Sequence, residues 1–351
     1  MSRKRVFRFV FCRNFAVVNN ANIMKRIALM TGGNSGEYEI SLKTADNIFS
    51  LLDKKCYEPY LIHLKGNNWT YTAPDGEVVE VNRNDFSLDL KGKKVTFDAV
   101  FIAIHGNPGE NGRLEAYFDM IGMPYTGCGM LSSALTFNKY YCNVVVKNLG
   151  IPVAPSLHYF KGETVDPKKV AEVCGYSCFV KSCNSGSSVG VTKVHVEEEL
   201  AAAVEEAFKY DTQLVIEKMI VGREVTCGVG CLQGKVRAFA VTEVVVNQRE
   251  FYDYKSKYTD GQHDLITPAD IPDNIRDTIF RYSESLYREL ACGGIVRADF
   301  IVTPDGVPYF LEVNTIPGQT AMSIVPNQLR YAGFDLTDVY SDLIEQSFEN
   351  R

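Results

Sequence analysis

The dipeptide Asp305-Gly306 stands between two runs, Gly294–Phe300 and Tyr309–Asn314, and constrains this chain more than any other feature. Asp-Gly between alternating apolar segments is a strong signal for a β-hairpin. A symmetric turn on that dipeptide sets Asp299 opposite Glu312 and Arg297 opposite Asn314. Residues two apart share a face, so these four point one way, while Val296, Ala298, Phe300, Leu311 and Val313 fill the other. Carboxylates directly opposed across a ladder repel. A chain keeps such a pair where a cation lies between them, and Asp, Glu and Asn are hard oxygen ligands suited to magnesium holding substrate phosphates. The plainer alternative is the solvated outer face of a hairpin.

The rest of the chain supplies a frame. Residues 26–31 read as a buried strand ending at Gly32-Gly33, residues 37–52 as a helix with Ile40, Ile48, Leu51 and Leu52 at helical spacing, and residues 58–64 and 98–104 as further strands. Strand–helix–strand order predicts a parallel sheet with helices on its faces, an α/β unit. Two glycine-rich loops, Gly32–Glu37 and His105–Gly112, fall at carboxyl ends of these strands, where such sheets gather their functional groups. An amphipathic helix over 132–149 closes at Gly150-Ile151-Pro152. Beyond it come strands 178–182 and 190–196 around the loop Asn184–Val189, and an acidic helix over 197–209. Strands 213–219, 223–232 and 235–246 follow, then a polar, aromatic loop over 247–265, a helix over 273–291 and the hairpin.

There is no GxxxxGK[ST] and no GxGxxG after a strand. Instead, Asn184–Gly190 offers small residues whose N–H groups and hydroxyls can approach an anion closely, with Lys181 just before it. Glu217-Lys218 ends an apolar strand and Glu224 follows, acids placed to accept from a ribose or an adenine amino group. Lys257 lies in the aromatic stretch 251–258. Singly, these are also what a flexible hairpin, a surface strand end and a protein-contact patch look like; their order is what is specific.

With 351 residues the chain has length for two or three domains. A net charge of −6, with Lys and Arg dispersed, argues against nucleic acid as partner. No apolar run reaches the roughly 18 residues a membrane span needs. The ten cysteines are scattered without a CxxC pair, which predicts reduced, buried thiols in a cytoplasmic protein; zinc at Cys174/Cys178 or Cys227/Cys231 is the alternative. Residues 1–23 carry Arg3, Lys4, Arg5, Arg8 and Arg13 and no acid, reading as an upstream start or a disordered basic arm, with targeting as the alternative.

The series lysine, Gly/Ser hairpin, Glu-Lys strand end, then Asp with Glu-x-Asn resembles the ATP-grasp fold. Gly32–Glu37 with Ser41, His105–Gly112, Lys181–Gly190, Phe251–Tyr258, Arg297–Asp299, Glu312–Gly318 and Ser323–Pro326 resemble the D-alanine–D-alanine ligase family. The resemblance covers residue 24 to the end. It implies an N-terminal doubly wound parallel-sheet domain (24–126), followed by a two-lobed ATP-grasp fold with a central lobe (127–215) and a C-terminal lobe (216–351) carrying the metal site and a mobile loop at 247–265. The implied activity is ATP-dependent joining of two D-alanines through an acyl phosphate, for peptidoglycan precursor synthesis, by a cytoplasmic homodimer that touches neither nucleic acid nor membrane. D-lactate or D-serine as acceptor, or a non-catalytic nucleotide-binding relative, are the alternatives.

The resemblance also implies roles. Glu37 would hold the amino group of the first D-alanine, with Ser187 and Tyr258. Arg297 and the N–H of Gly318 would stabilise the oxyanion. His105, Ser323 and Ile324 would bind substrate, Ser323 taking the second carboxylate. Lys139 and Lys181 would contact ATP phosphates, Glu217, Lys218, Ile220 and Glu224 the adenosine, with Phe251 on the base, and Lys257 would meet the γ-phosphate. Asp299, Glu312 and Asn314 would hold two magnesium ions, for which manganese can substitute. The chain departs from the family pattern at Asn111, usually Asp, at Ser182, usually Pro, and at Cys183 within the phosphate loop.

Overall fold

The computed structural model describes residues 24–186, 189–246 and 263–349; the basic arm 1–23 lies outside them. Strand β1 (Lys25–Gly32) runs parallel to β2 (Tyr57–Lys65) on one side and to β7 (Ala99–Ile102) on the other. Strands β3 (Asn68–Thr72) and β4 (Val78–Glu80) extend the sheet antiparallel, in the order β4-β3-β2-β1-β7, and β5 (Ser87–Leu90) and β6 (Lys93–Thr96) form a separate two-stranded ribbon. The sheet is therefore mixed rather than wholly parallel: the polar turns after β2 and β3 are too short for crossover helices, and short turns force antiparallel neighbours.

Alternation along β1 assigns its two faces. Ile27 and Leu29 pack with Ala45 and Ile48 of α1 (Tyr38–Leu51) and with Tyr340 and Ile344 of the last helix, α9 (Leu336–Glu349). Ala28 and Met30 pack on the opposite side with Leu114 and Phe118 of α2 (Arg113–Ile121). The chain's final helix thus completes the core of its first sheet. Gly32 turns out of β1 with φ +94°, where a Cβ would collide with the Leu64 carbonyl, so only glycine closes this strand without strain.

A second, antiparallel sheet is ordered β10 (Val191–Val194), β9 (Cys178–Ser182), β11 (Gln213–Lys218), β8 (Ser156–Phe160). It is covered by α5 (Pro167–Val173) and α6 (Leu200–Ala207) through Val170, Val180, Leu200, Ala203, Leu214 and Ile216. Strand β11 is continuous through Lys218, with Lys218 opposite Cys178, so a division after 215 would cut it; the sheet ends after Lys218.

The third sheet is ordered β14 (His263–Ile266), β13 (Lys235–Val246), β12 (Arg223–Leu232), β15 (Ile295–Val302), β16 (Pro308–Asn314), all antiparallel. The aromatic stretch expected as loop over 247–265 therefore ends in strand, because residues 263–266 find partners on β13. Helix α7 (Asp273–Glu289) covers one face through Ile279, Leu286 and Tyr287.

Two further helices, α3 (Met130–Phe137) and α4 (Lys139–Asn148), replace the single helix expected over 132–149. Asn138 leaves the helical region at φ −88°, ψ 107° and its side chain caps the Tyr141 N–H at 3.0 Å. Cys142, Val146 and Ile151 join the core of the third sheet with Val313 and Phe310, so the start of the expected central lobe packs with the C-terminal one.

The hairpin has the expected register at its open end: Arg297 faces Asn314 and Asp299 faces Glu312. Nearer the turn Phe300 faces Phe310, with a bulge at Leu311. The extra residue reverses the parity of the strand. Phe310, 3% exposed, takes the core position expected for Leu311, and Leu311 joins the lining of the cavity described next.

Candidate active site

A cavity of about 450 Å³ opens where the three sheets meet. From the first sheet come Glu37, which precedes α1, and His105 and Glu110 in the loop after β7. Lys139, Asn143 and Ser185 line the side toward the second sheet, and Arg297, Glu312, Asn314, Gly318, Ser323 and Ile324 the third. Nine of the residues implied by resemblance thus share one cavity: Glu37, His105, Lys139, Arg297, Glu312, Asn314, Gly318, Ser323 and Ile324.

The break at Asn138 makes Lys139 the first residue of α4, where its ammonium donates to the Ser185 carbonyl and its N–H to the Cys183 carbonyl at 3.0 Å. Burial lowers its pKa, against an upward pull from Glu312, and the neighbouring Lys181 adds to the lowering. Lys181 makes a 2.6 Å ion pair with Glu217, whose other oxygen accepts from Asn143 at 2.8 Å. A buried pair with both acid oxygens engaged is held in place by geometry. Asn143 links it to the cavity, a residue without a periodic or motif signal in the sequence. Lys218, Ile220 and Glu224, expected beside these, lie at the end of β11, in the connection and on β12, beyond the cavity's lining. Ser187, Phe251, Lys257 and Tyr258 lie outside the described residues.

Asp299 sits behind the cavity wall, 4% exposed, and its carboxylate is heavily engaged. The Arg297 guanidinium donates to both oxygens at 2.8 and 2.7 Å, Thr226 Oγ1 donates at 2.5 Å and Asn314 Nδ2 at 3.0 Å. Thr226 is there because β12 pairs it with Asp299 in register; a threonine in a valine-rich strand gives no hint of this from sequence. Among the described residues no group of three or more His, Cys, Asp or Glu side chains forms a metal cluster. Two carboxylates and one amide do fit a hard divalent cation that takes its remaining oxygens from substrate phosphates and water. The Asn314 amide nitrogen faces Asp299, so its oxygen is turned elsewhere.

His105, expected to bind substrate, is held within the protein, and Glu110 beside it. The His105 ring is 4% exposed, with Nδ1 2.8 Å from the Ile316 carbonyl oxygen and Nε2 2.9 Å from Thr44 Oγ1. A carbonyl only accepts, so Nδ1 carries the proton and Nε2 accepts from Thr44. Burial lowers the ring's pKa, against a smaller upward pull from Glu37, and the neutral form matches these bonds. Substrate binding by His105 has to contend with two ring nitrogens already engaged within the protein. Glu110 accepts the Gly106 N–H at 2.7 Å and the Ile316 N–H at 3.1 Å. Burial, with Glu37 nearby, pushes its carboxyl up to about 8. Its only trace in the sequence is an acid within a glycine-rich loop.

The cavity therefore gathers the Lys139 ammonium, the Glu312 and Asn314 side chains, the Glu37 carboxylate and the Arg297 guanidinium, with Lys181 and Asp299 held just behind its wall. That set suits activation of a carboxylate by a nucleoside triphosphate and capture by an amine. Sequence models described as D-ala D-ala ligase N-terminus and D-ala D-ala ligase C-terminus match residues 26–128 and 145–345. A protein of Parabacteroides distasonis named D-alanine--D-alanine ligase is 46% identical over 327 residues, 93% of this chain and 98% of that one. The solved D-alanyl-alanine synthetase A from Vibrio cholerae superposes with a TM-score of 0.85 at 30% identity, covering 93% of this chain and 99% of its own. VanG D-Ala:D-Ser ligase from Enterococcus faecalis superposes at 0.83 with 32% identity, covering 93% and 100%.

Proposed function

Since this chain belongs to the D-alanine–D-alanine ligase family, with its ATP-grasp fold, we propose that it joins two D-alanine molecules at the expense of ATP for peptidoglycan precursor synthesis. The observation that carries this reading is the meeting, in one cavity, of Glu37, Lys139, Arg297, Glu312 and Gly318. In this reading Glu37 pairs with the ammonium group of the first D-alanine, together with Ser187 and Tyr258. Lys139 and Lys181 steady the phosphates, with Lys257 at the γ-phosphate. Glu217, Lys218, Ile220, Glu224 and Phe251 take the adenosine.

The first D-alanine's carboxylate oxygen attacks the γ-phosphorus, the bond to the β-phosphate oxygen breaks, and ADP leaves. The amine of the second D-alanine, its carboxylate held by Ser323 beside Ile324, attacks the acyl carbonyl. The Arg297 guanidinium and the Gly318 N–H take the charge that develops on the carbonyl oxygen. The amine gives up a proton and the intermediate collapses to dipeptide and phosphate. Asp299, Glu312 and Asn314 would hold magnesium, two ions in this reading with manganese as a substitute, which neutralises phosphate charge when bound. Positioning and charge neutralisation supply most of the rate.

Arg297 and Asp299 are paired here through two hydrogen bonds; in this reading Asp299 would help to hold the cation and the guanidinium would serve the carbonyl oxygen. The reading includes a cytoplasmic homodimer; among the described residues no helix is long and apolar enough to cross a membrane.

Protein mixed with ATP, magnesium and D-alanine should release ADP and D-alanyl-D-alanine in equal amounts. ATP hydrolysis indifferent to D-alanine would contradict the reading. The similarity to VanG keeps D-serine in view as acceptor. Parallel assays with D-alanine, D-serine and D-lactate decide among them, D-alanine being favoured by the curated relative at 46% identity.

A further inference from the structure

The segment Ile316–Gln319 leaves β16 toward α8 (Ile324–Tyr331) and belongs to the C-terminal part of the chain. Yet the side chains that hold it come from the first sheet. His105 Nδ1 donates to the Ile316 carbonyl at 2.8 Å, and Glu110 Oε1 accepts the Ile316 N–H at 3.1 Å, so one residue is gripped on both of its backbone groups. Two residues from Gly318 along the chain on that side, this grip is matched by one on the adjoining side. Thr44 Oγ1 accepts the Gln319 N–H at 3.4 Å, and Asn47 Nδ2 donates to the Gln319 carbonyl at 2.6 Å. The two grips share a member, since Thr44 Oγ1 also lies 2.9 Å from His105 Nε2.

The bonds form a directed chain. The Gln319 N–H donates to Thr44, Thr44 donates to His105, and His105 donates to Ile316. The loop bearing His105 and Glu110 is itself fixed, because Ser35 Oγ donates to the His105 carbonyl at 2.9 Å and the His105 N–H donates to Ser41 Oγ at 3.0 Å. Gly318 lies between the clamped residues and lines the cavity. A Cβ there would stand 2.9 Å from Ser323 Oγ, so a side chain at this position would press on the serine hydroxyl.

We infer that Thr44, His105 and Glu110 are positioning residues: they clamp the Ile316–Gln319 segment so that the Gly318 N–H is aimed at the reacting carbonyl. The inference rests on the reading that Gly318 stabilises the oxyanion. It gives the first sheet a part in the second chemical step, separate from holding the first D-alanine, and explains a histidine whose two nitrogens are both engaged by protein.

The clamp predicts a specific fault. Loosening it spares carboxylate activation but slows capture by the amine, leaving the acyl phosphate to water. In the full-length protein, His105→Ala and Glu110→Ala should lower kcat for dipeptide by about 10–100-fold, the scale of a misplacement of roughly 1 Å, with the KM for ATP little changed. Phosphate released per dipeptide formed should rise above one. His105→Asn keeps an N–H donor where Nδ1 stands and should recover most of the loss. Thermal midpoints of the same samples separate a folding defect, which lowers the folded fraction but leaves the ratio at one. Unchanged kcat with a ratio of one in both alanine variants overturns the clamp. His105→Asn as impaired as His105→Ala also overturns it and gives the ring a role in substrate contact or proton transfer. Wild-type protein that makes no dipeptide at all removes the underlying reading, and the clamp with it.

Discussion

At Asp299 two proposed roles meet in one salt bridge. Arg297 spans the carboxylate with two hydrogen bonds in a site where both side chains are largely buried. Arg297→Ala should therefore do more than remove an oxyanion donor. Turnover should fall by about 10²–10³-fold, the usual cost of one such donor, and Asp299 should lose its buried counter-charge. Arg297→Lys should not rescue it, since an ammonium cannot reproduce the planar two-point contact. Dipeptide formation near the wild-type rate in either variant would take Arg297 out of this role.

A second consequence at this scale concerns pH. Glu115, 1% exposed and accepting from Ser133 Oγ at 3.2 Å, has its carboxyl pushed up to about 8 by burial, as Glu110 has. The folded state thus keeps protons that the unfolded chain releases at ordinary carboxylate pKa values, roughly 4.3. Between those limits the native state binds more protons, so stability falls as pH rises toward about 8. Denaturant unfolding measured from pH 5 to 8 should show that decline, with a shallower slope in Glu115→Gln. Identical slopes would mean that Glu115 titrates normally in the folded protein.

Among the elements, α4 shows how a local cap serves a distant site. Asn138 caps the helix through its side-chain oxygen while its Nδ2 donates to Asn184 Oδ1 at 3.0 Å, tying the helix start to the Gly/Ser loop. Asn138→Ala should cost ~1 kcal/mol of stability, as the loss of a cap does, and should weaken ATP binding by loosening Lys139. Calorimetry with and without nucleotide would measure both. Wild-type stability together with wild-type nucleotide affinity would contradict this account.

The same elements show what the sequence could tell. The turn dipeptide and strand alternation gave the ladder positions of Arg297, Asp299, Glu312 and Asn314, because both signals act over a few residues. The bulge at Leu311 was hidden, since Phe310 and Leu311 are both apolar and alternation does not reveal an inserted residue. The break at Asn138 was masked by apolar spacing that continues across it. Thr226, Asn143 and the His105–Glu110 grip on Ile316 were illegible for another reason. They pair residues far apart in the chain, and such contacts leave no periodic trace. Lys181, Glu217, Lys218, Ile220 and Glu224 were found by order alone, and none of them lines the cavity that holds Glu37, Lys139, Arg297 and Glu312.

Across the whole molecule, the last helix is the element that ties the ends of the chain together. Tyr340 and Ile344 of α9 are fully buried against Ile27, Leu29 and Ile48, so the first sheet lacks part of its core until the end of the chain has folded. No helix was expected here from the sequence, and an amphipathic pattern would in any case show only that a face is covered and not by what. Ile344→Ala should destabilise the protein by about 2–5 kcal/mol, as large-to-small core changes do. Because the clamp on Ile316 joins the same two parts of the chain, unfolding should retain a single transition. An early transition confined to residues 24–126 would show that the first sheet is stable without α9.

All scales converge on a hairpin whose opposed acids serve a nucleotide-bound cation. The most direct test is a magnesium titration of D-alanine-dependent phosphate release, comparing wild type with Glu312→Gln at fixed ATP. The account predicts that the variant needs upward of about tenfold more magnesium to reach half its rate, in line with the loss of a charged metal partner, and reaches a lower plateau. Superimposable titrations would contradict it, since the acids would then face one another for no reason connected with the reaction.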